Sequence, residues 1–401
     1  MREFKITKNN LFNAIFYILF FTIYVLSLTF YSMGEEGSKI RYYILLVACI
    51  MGFLMMIKTR KIKYLKKLSG KKLLYSLGIG IIFLILSIYK AKEVNMQLNM
   101  RTYVQIALVV LPAIYAFFIL NLFETEHIIN LLKITTFILI IGYFMEKGHY
   151  ITDFFNINNW LNISISSSRS FTESSLYSEP FLQLFIFFNF AKHLYKEDKK
   201  IKNIGIYYYI SLIFTILAFK RLALAFVLFI LVINIFLNKS KETKINFGII
   251  VGILFTIITI YYTKFMQGDL FKNVDVYNLT TGRDYILGLW AKKDYFSYGY
   301  GTSMLVIGRY LEMDLIQIYK ELGITALLLF NLFFGSLVKK NKYCLLVLMY
   351  GLANMLTASI LPSLISTFMC YLTITFISEK KYETDGYMYK SKKDDKEVGC
   401  K

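Results

Sequence analysis

The sequence predicts an all-α polytopic membrane protein, and three observations carry that prediction. The 401 residues are 57% hydrophobic and 17% aromatic, with only 3 prolines, a composition that suits helices surrounded by lipid. Apolar runs of about 17 to 21 residues recur along nearly the whole chain, each long enough at ~1.5 Å per residue to cross a ~30 Å hydrocarbon layer. The breaks between them are mostly short, polar and rich in Lys and Arg.

In order, spans are predicted near 11–31, 41–57, 73–89, 104–122, 128–146, 180–195, 204–219, 221–238, 246–262, 316–337, 343–360 and 363–378, about twelve in all. They form one integral membrane domain over 1–401, with a solvated tail at 379–401. The first run lacks a small-residue cleavage site, which predicts a retained helix. An even number of spans puts both termini on one side, together with the loops 58–72, 196–202, 239–244 and 339–342. Roughly two thirds of the Lys and Arg residues fall there, so the positive-inside rule makes that side cytoplasmic, in a plasma or inner membrane.

The formal charge of +20 is therefore a topology signal. No loop offers a folded basic module or an aromatic and basic surface, so no nucleic-acid partner is expected. The basic loops instead suit anionic lipid headgroups. The four cysteines, Cys49, Cys344, Cys370 and Cys400, have neither disulfide-framework nor metal-ligand spacing. No metal and no cofactor is expected.

Two loops exceed what connection requires, 147–179 and 263–315, and both are predicted outside the cytoplasm. Long loops in compact folds usually bind or catalyse. The first packs Arg169, Glu173 and Glu179 among serines in SISSSRSFTESSLYSEP. Glu179-Pro180 also suits the first turn of a helix, where proline and an acid are both favoured. His149 is the one histidine predicted on that side. In the second loop, Thr280 to Trp290 predicts a short capped amphipathic helix carrying Arg283, followed by Gly299-Tyr300-Gly301, a flexible turn whose backbone amides can approach an anion.

Lys220 and Arg221 interrupt the apolar stretch ILAFKRLALAFVLFI. One helix from 204 to 238 would measure roughly 50 Å, too long for the bilayer, so a tight hairpin must turn at the two cations. The turn is expected outside, with Arg221 directed toward a cavity shared with Arg169 and Arg283, and Lys220 toward headgroups. Three guanidinium groups would suit a diphosphate, whose oxygens accept bidentate bonds.

With these residues in place, the chain resembles the bacterial O-antigen and capsular polysaccharide polymerase family, related to the O-antigen ligases. RSFTESSLYSEP resembles that family's arginine-to-Glu-Pro segment, and FKRLALAFVLFI its basic and small-apolar helix. TGRDYILGLW with YGYGT resembles its Gly-Arg, Trp and Gly-x-Gly loop, and MDLIQIYKELGI its closing helix. The resemblance covers roughly residues 165 to 325. It implies a GT-C-like lipid-linked glycosyltransferase architecture and transfer of a glycan from undecaprenyl diphosphate to another lipid-linked repeat unit. It further implies diphosphate binding by Arg169, Arg221 and Arg283, and a chain-length regulator and a flippase as partners. Ligase-like members carry a histidine where this chain has RYLEMDLIQ, so Asp314, Glu312, Glu173 and Glu179 become the candidate bases. A flippase or exporter of lipid-linked oligosaccharide, or a ligase-type transferase, is the alternative reading.

Overall fold

The computed structural model describes residues 8–29, 34–59, 67–148, 174–195, 203–218, 220–237, 246–267, 283–292, 295–308, 311–338 and 341–379. Arg169, Glu173, His149 and the tail after Glu379 lie outside the described residues. All regular structure among the described residues is helical. The helices are α1 (Lys8–Thr29), α2 (Gly34–Lys58), α3 (Lys67–Glu93), α4 (Met100–Leu122), α5 (Thr125–Lys147), α6 (Ser175–Leu194), α7 (Ile204–Leu217) and α8 (Arg221–Leu237). They continue with α9 (Phe247–Met266), α10 (Arg283–Lys292), α11 (Ser303–Ile307), α12 (Asp314–Leu322), α13 (Ile324–Leu337), α14 (Lys342–Thr357) and α15 (Leu364–Glu379).

Each predicted span coincides with a helix or, at 316–337, with the pair α12 and α13. Among the described residues, five helices are both long and apolar enough to cross a membrane: Ile40–Lys58, Gly70–Glu93, Met100–Leu122, Thr125–Lys147 and Phe247–Met266. On three of them burial is one-sided. On α2, α3 and α9 about a third of the span is buried, as expected of helices that give one stripe to the bundle and the rest to lipid. By contrast, α15 is buried on every side, and so is α6 from Tyr177 to Ala191. A helix apolar all round belongs inside, and these two touch through Phe187 and Phe376, ring centroids 5.0 Å apart.

The predicted span 316–337 is not one helix. It breaks at Gly323, whose φ of 90° is the left-handed geometry that glycine tolerates without strain. Before the break, α12 carries Asp314 at its start and Glu321 in its last turn; after it, α13 runs on as an apolar helix. The turn 297–303 enters the bundle beside the break. Tyr300 N–H donates to Ser87 Oγ at 3.0 Å, roughly two turns before the end of α3, and the Tyr300 ring lies 5.0 Å from that of Phe83. Part of a loop that the sequence places wholly outside the membrane thus lies within the helices. A buried turn must have its backbone groups bonded by protein.

Glycine sets the closest helix contact. A Cβ on Gly252 of α9 would collide with the Asn331 carbonyl of α13, and one on Gly248 with the Gly335 carbonyl. The approach lets Asn331 Nδ2 donate to Thr256 Oγ1 at 3.0 Å. Small residues at such crossings replace the hydrophobic drive that lipid removes. Gly252→Val should therefore destabilise the protein by about 1–3 kcal/mol through overpacking, read as a lower melting temperature in detergent. Gly78→Ala, with open space where its Cβ would sit, should melt as the wild type does.

Candidate functional site at the Asp314 end of the bundle

The ends of α5 and α7 and the start of α6 meet at one end of the bundle. Ser174 Oγ donates to Glu146 Oε2 at 2.8 Å, Ser174 N–H to the Ala218 carbonyl at 3.0 Å, and the Tyr143 hydroxyl to the Leu217 carbonyl at 3.2 Å. The short α7–α8 connection therefore forms the hairpin tip that chain length requires. It sits over α6 and α14.

Its two cations take opposite directions, and they reverse the expected assignment. Lys220 points inward, where Nζ donates to Asn354 Oδ1 of α14 at 2.7 Å, while Arg221 is exposed. The reason is the partner waiting inside. Glu179 of α6 is buried at 4% exposure, and the Lys220 charge acts on it directly. Gln183, one turn along, donates from Nε2 to Glu179 Oε1 at 3.2 Å and to the Ser366 carbonyl of α15 at 3.3 Å. Asn354 and Ser366 face the same carboxylate. A buried carboxylate needs a nearby cation, and the hairpin tip supplies Lys220.

The dipole reading of Glu179 also changes. Because α6 begins at Ser175, Pro180 lies inside the helix and no acid occupies the first turn. Glu179 is held by tertiary partners.

Asp314 forms a second buried group at the same end. Its Oδ2 accepts from Ile360 N–H at 2.5 Å and Leu361 N–H at 2.7 Å, and Oδ1 accepts from Ser359 Oγ at 3.0 Å. It thus ties α12 to the turn joining α14 and α15. Burial pushes this carboxyl up to about 7 against the lowering effect of those three bonds, and the charge on Glu179 pushes the same way. Glu312, two residues earlier, is exposed, so the Glu312-x-Asp314 pair does not converge. Among the described residues no group of three His, Cys, Asp or Glu side chains could hold a metal.

The turn 297–303 has a different occupant from the one expected. Glu321 Oε2 accepts from Gly301 N–H at 2.6 Å and Oε1 from Ser303 N–H at 2.9 Å, while Ser297 Oγ donates to the Glu321 carbonyl at 2.6 Å. The amides that looked open to an anion are satisfied by an internal carboxylate. Gly299 and Gly301, with φ of 140° and 81°, give the turn its shape.

Arg283 is half-buried at the start of α10, where its charge acts on the Tyr262 hydroxyl of α9. Arg221 sits on α8, which packs on α6, α7 and α14. The two candidate arginines within the described residues therefore rest on different neighbours. Sequence reasoning missed Lys220 as an inward group, together with Gln183, Asn354, Ser366 and Glu321. Glu321, Gln183 and Asn354 did leave a signal, as polar side chains inside apolar runs.

Fold and site together define an all-helical membrane protein with a buried acid and amine cluster near one end of its bundle. Comparison of the chain with protein-family models, curated proteins and solved structures returns no match.

For a group whose folded pKa is raised, stability is complete below the unfolded value and is lost as pH rises through the folded one. Asp314, raised from 3.8 to about 7, should therefore make the protein lose stability between pH 4 and 7. Melting temperature in detergent across that range should fall for the wild type and vary less for Asp314→Asn.

Proposed function

We propose that this protein is a polymerase of lipid-linked oligosaccharide repeat units in surface polysaccharide synthesis. The observation that carries the reading is the cluster of buried Glu179 and Asn354 with half-buried Lys220, which lies at the end of the bundle where the two long segments predicted to be extracytoplasmic return to it. In this reading that end faces away from the cytoplasm, and twelve spans cross the membrane with both termini inside.

The reaction breaks the bond between the donor's anomeric carbon and its phosphate oxygen. A hydroxyl oxygen of the acceptor repeat unit takes the anomeric carbon, undecaprenyl diphosphate leaves with the electron pair, and the hydroxyl proton passes to a carboxylate. Arg221, which is exposed, and Arg283, with Arg169 from the first long loop, hold the diphosphate through charge-assisted bonds. Glu179 is the leading base, since Lys220 keeps it beside a cation in a water-poor setting, and Asp314 ranks next. Both are closed off among helices, so the acceptor reaches them only if the Lys220 tip moves aside.

A second reading, a flippase or exporter of the same lipid-linked glycans, has its own support. Broken helices and polar turns inside a bundle are the usual construction of transporter binding sites, and the break at Gly323 with the Glu321-held turn is of that kind.

Purified protein supplied with lipid-linked repeat units should give a ladder of longer glycans; single repeats that cross the bilayer without extension would support the exporter instead. Arg221→Ala and Arg283→Ala should raise the donor concentration needed, whereas Glu179→Gln should cut extension about 100-fold or more at saturating donor. Lys220→Met alone strands a buried charge, so the double variant Glu179→Gln with Lys220→Met serves as the stable inactive control.

A further inference from the structure

The two ends of α15 hold two buried ionisable clusters, and the proposed glycan reaction uses only one. At the far end, Lys72 of α3 is 5% exposed, and its Nζ donates to Ser378 Oγ at 3.0 Å and to the Ile374 carbonyl at 3.2 Å. Cys344 of α14 lies against the same two groups, with Sγ 3.2 Å from Ser378 Oγ and 3.4 Å from the Ile374 carbonyl. Glu379, at 5% exposure, closes α15 there. At the near end, Gln183 binds the Ser366 carbonyl beside Glu179 and Lys220.

Ser366 and Ile374 are separated by about 12 Å of helix. Polar atoms occupy that interval. Cys370 is 4% exposed and lies one turn from Ser366 and one turn from Ile374 on the same face of α15, which places it between the two clusters; its thiol also interacts electrostatically with Glu179, Cys344 and Lys72. The Tyr350 hydroxyl, fully buried and within the field of Glu179, has no hydrogen-bond partner among the described residues, nor has Thr373 Oγ1 on α15. Around Glu179 itself, Gln183 Oε1 is buried and has no partner among the described residues, while the Asn354 amide faces the Glu179 carboxylate. Opposite Cys370, α14 presents Gly351, where an added Cβ would meet only Cys370 Sγ, at 3.8 Å.

Unpaired polar atoms in an apolar bundle are costly. Here a buried thiol sits on the face of α15 that runs from the buried carboxylate to the buried amine, opposite a glycine, and the Tyr350 hydroxyl lies within the field of that carboxylate. Ionisable groups inside membrane bundles commonly mark proton relays.

We propose that α15 carries a proton path from Glu179, by way of Tyr350, Cys370 and Cys344, to the Ser378 and Lys72 cluster at the opposite end. A proton taken up by the Glu179 carboxylate moves on by successive transfers, each hydroxyl, thiol or intervening water accepting one proton and releasing another, so that the chain is unchanged after each passage. The groups facing Glu179 are Lys220 from α8, Asn354 and Tyr350 from α14, Ser366 and Cys370 from α15, Asp314 from α12 and Gln183 from its own helix. Lys220 is the only cation among them. Its ammonium next to Glu179 resists entry of a further positive charge, which makes the hairpin tip the gate.

The test uses full-length protein in liposomes enclosing a pH-sensitive dye, with a potassium diffusion potential driving protons inward. Wild type should acidify the lumen several-fold faster than protein-free liposomes. Glu179→Gln and Gly351→Val should return the rate to the protein-free level, while Gly351→Ala, which meets no close contact, should conduct as the wild type does. A wild-type rate equal to protein-free liposomes, or conduction untouched by both Glu179→Gln and Gly351→Val, would overturn the path. Gly351→Val leaves Glu179, Lys220 and Asn354 unsubstituted and should still extend glycans, so loss of conduction with a normal ladder separates this inference from the polymerase reading.

Discussion

A polypeptide surrounded by apolar helices and lipid has no water with which to satisfy backbone N–H groups, so each non-helical segment inside the bundle must find an internal acceptor. Helix α12 meets that demand twice. Asp314 at its start accepts from two amides of the 359–361 turn, and Glu321 in its last turn accepts from two amides of the 297–303 turn. Remove either carboxylate and a buried turn loses its acceptors. The α14–α15 connection, the entry of Tyr300 beside α3 and the break at Gly323 all follow from this one short helix.

The same demand orders the neighbouring cluster. Glu179 is buried among helices that α12 helps to position, and the α7–α8 hairpin, which exists because the apolar stretch is too long for one crossing, brings Lys220 to it. A constraint of length thus becomes a constraint of charge. Arg221, one residue on, meets no such acceptor among the described residues and stays exposed. Chemistry and scaffold share components here, since the groups suited to move a proton are also those that keep the helix ends together.

Much of the fold was legible because hydrophobic length is a local property. The predicted spans coincide with helices, the Lys220–Arg221 hairpin turns where length demands, and the amphipathic segment after Thr280 is helical from Arg283. Less of the site could be read. Adjacent residues on a turn differ in orientation by their partners, and Asn354 lies 134 positions from Lys220, a distance at which spacing carries no information. Gly299-Tyr300-Gly301 looked like an open anion cradle because its filler, Glu321, arrives from another helix. Glu179 looked like a first-turn acid because the start of α6, four residues upstream, is written in serines rather than in an apolar run.

The sequence by itself determined an all-helical chain with membrane-length apolar segments, where those segments lie and where the chain must turn back, since all of these depend on composition and on rise per residue. Tertiary structure alone decided which of two neighbouring cations faces the interior, which carboxylates are buried, and that one predicted span is two helices with a turn packed at their junction. Those outcomes rest on pairings between distant segments. In a medium without water, a charge goes where another part of the chain can meet it.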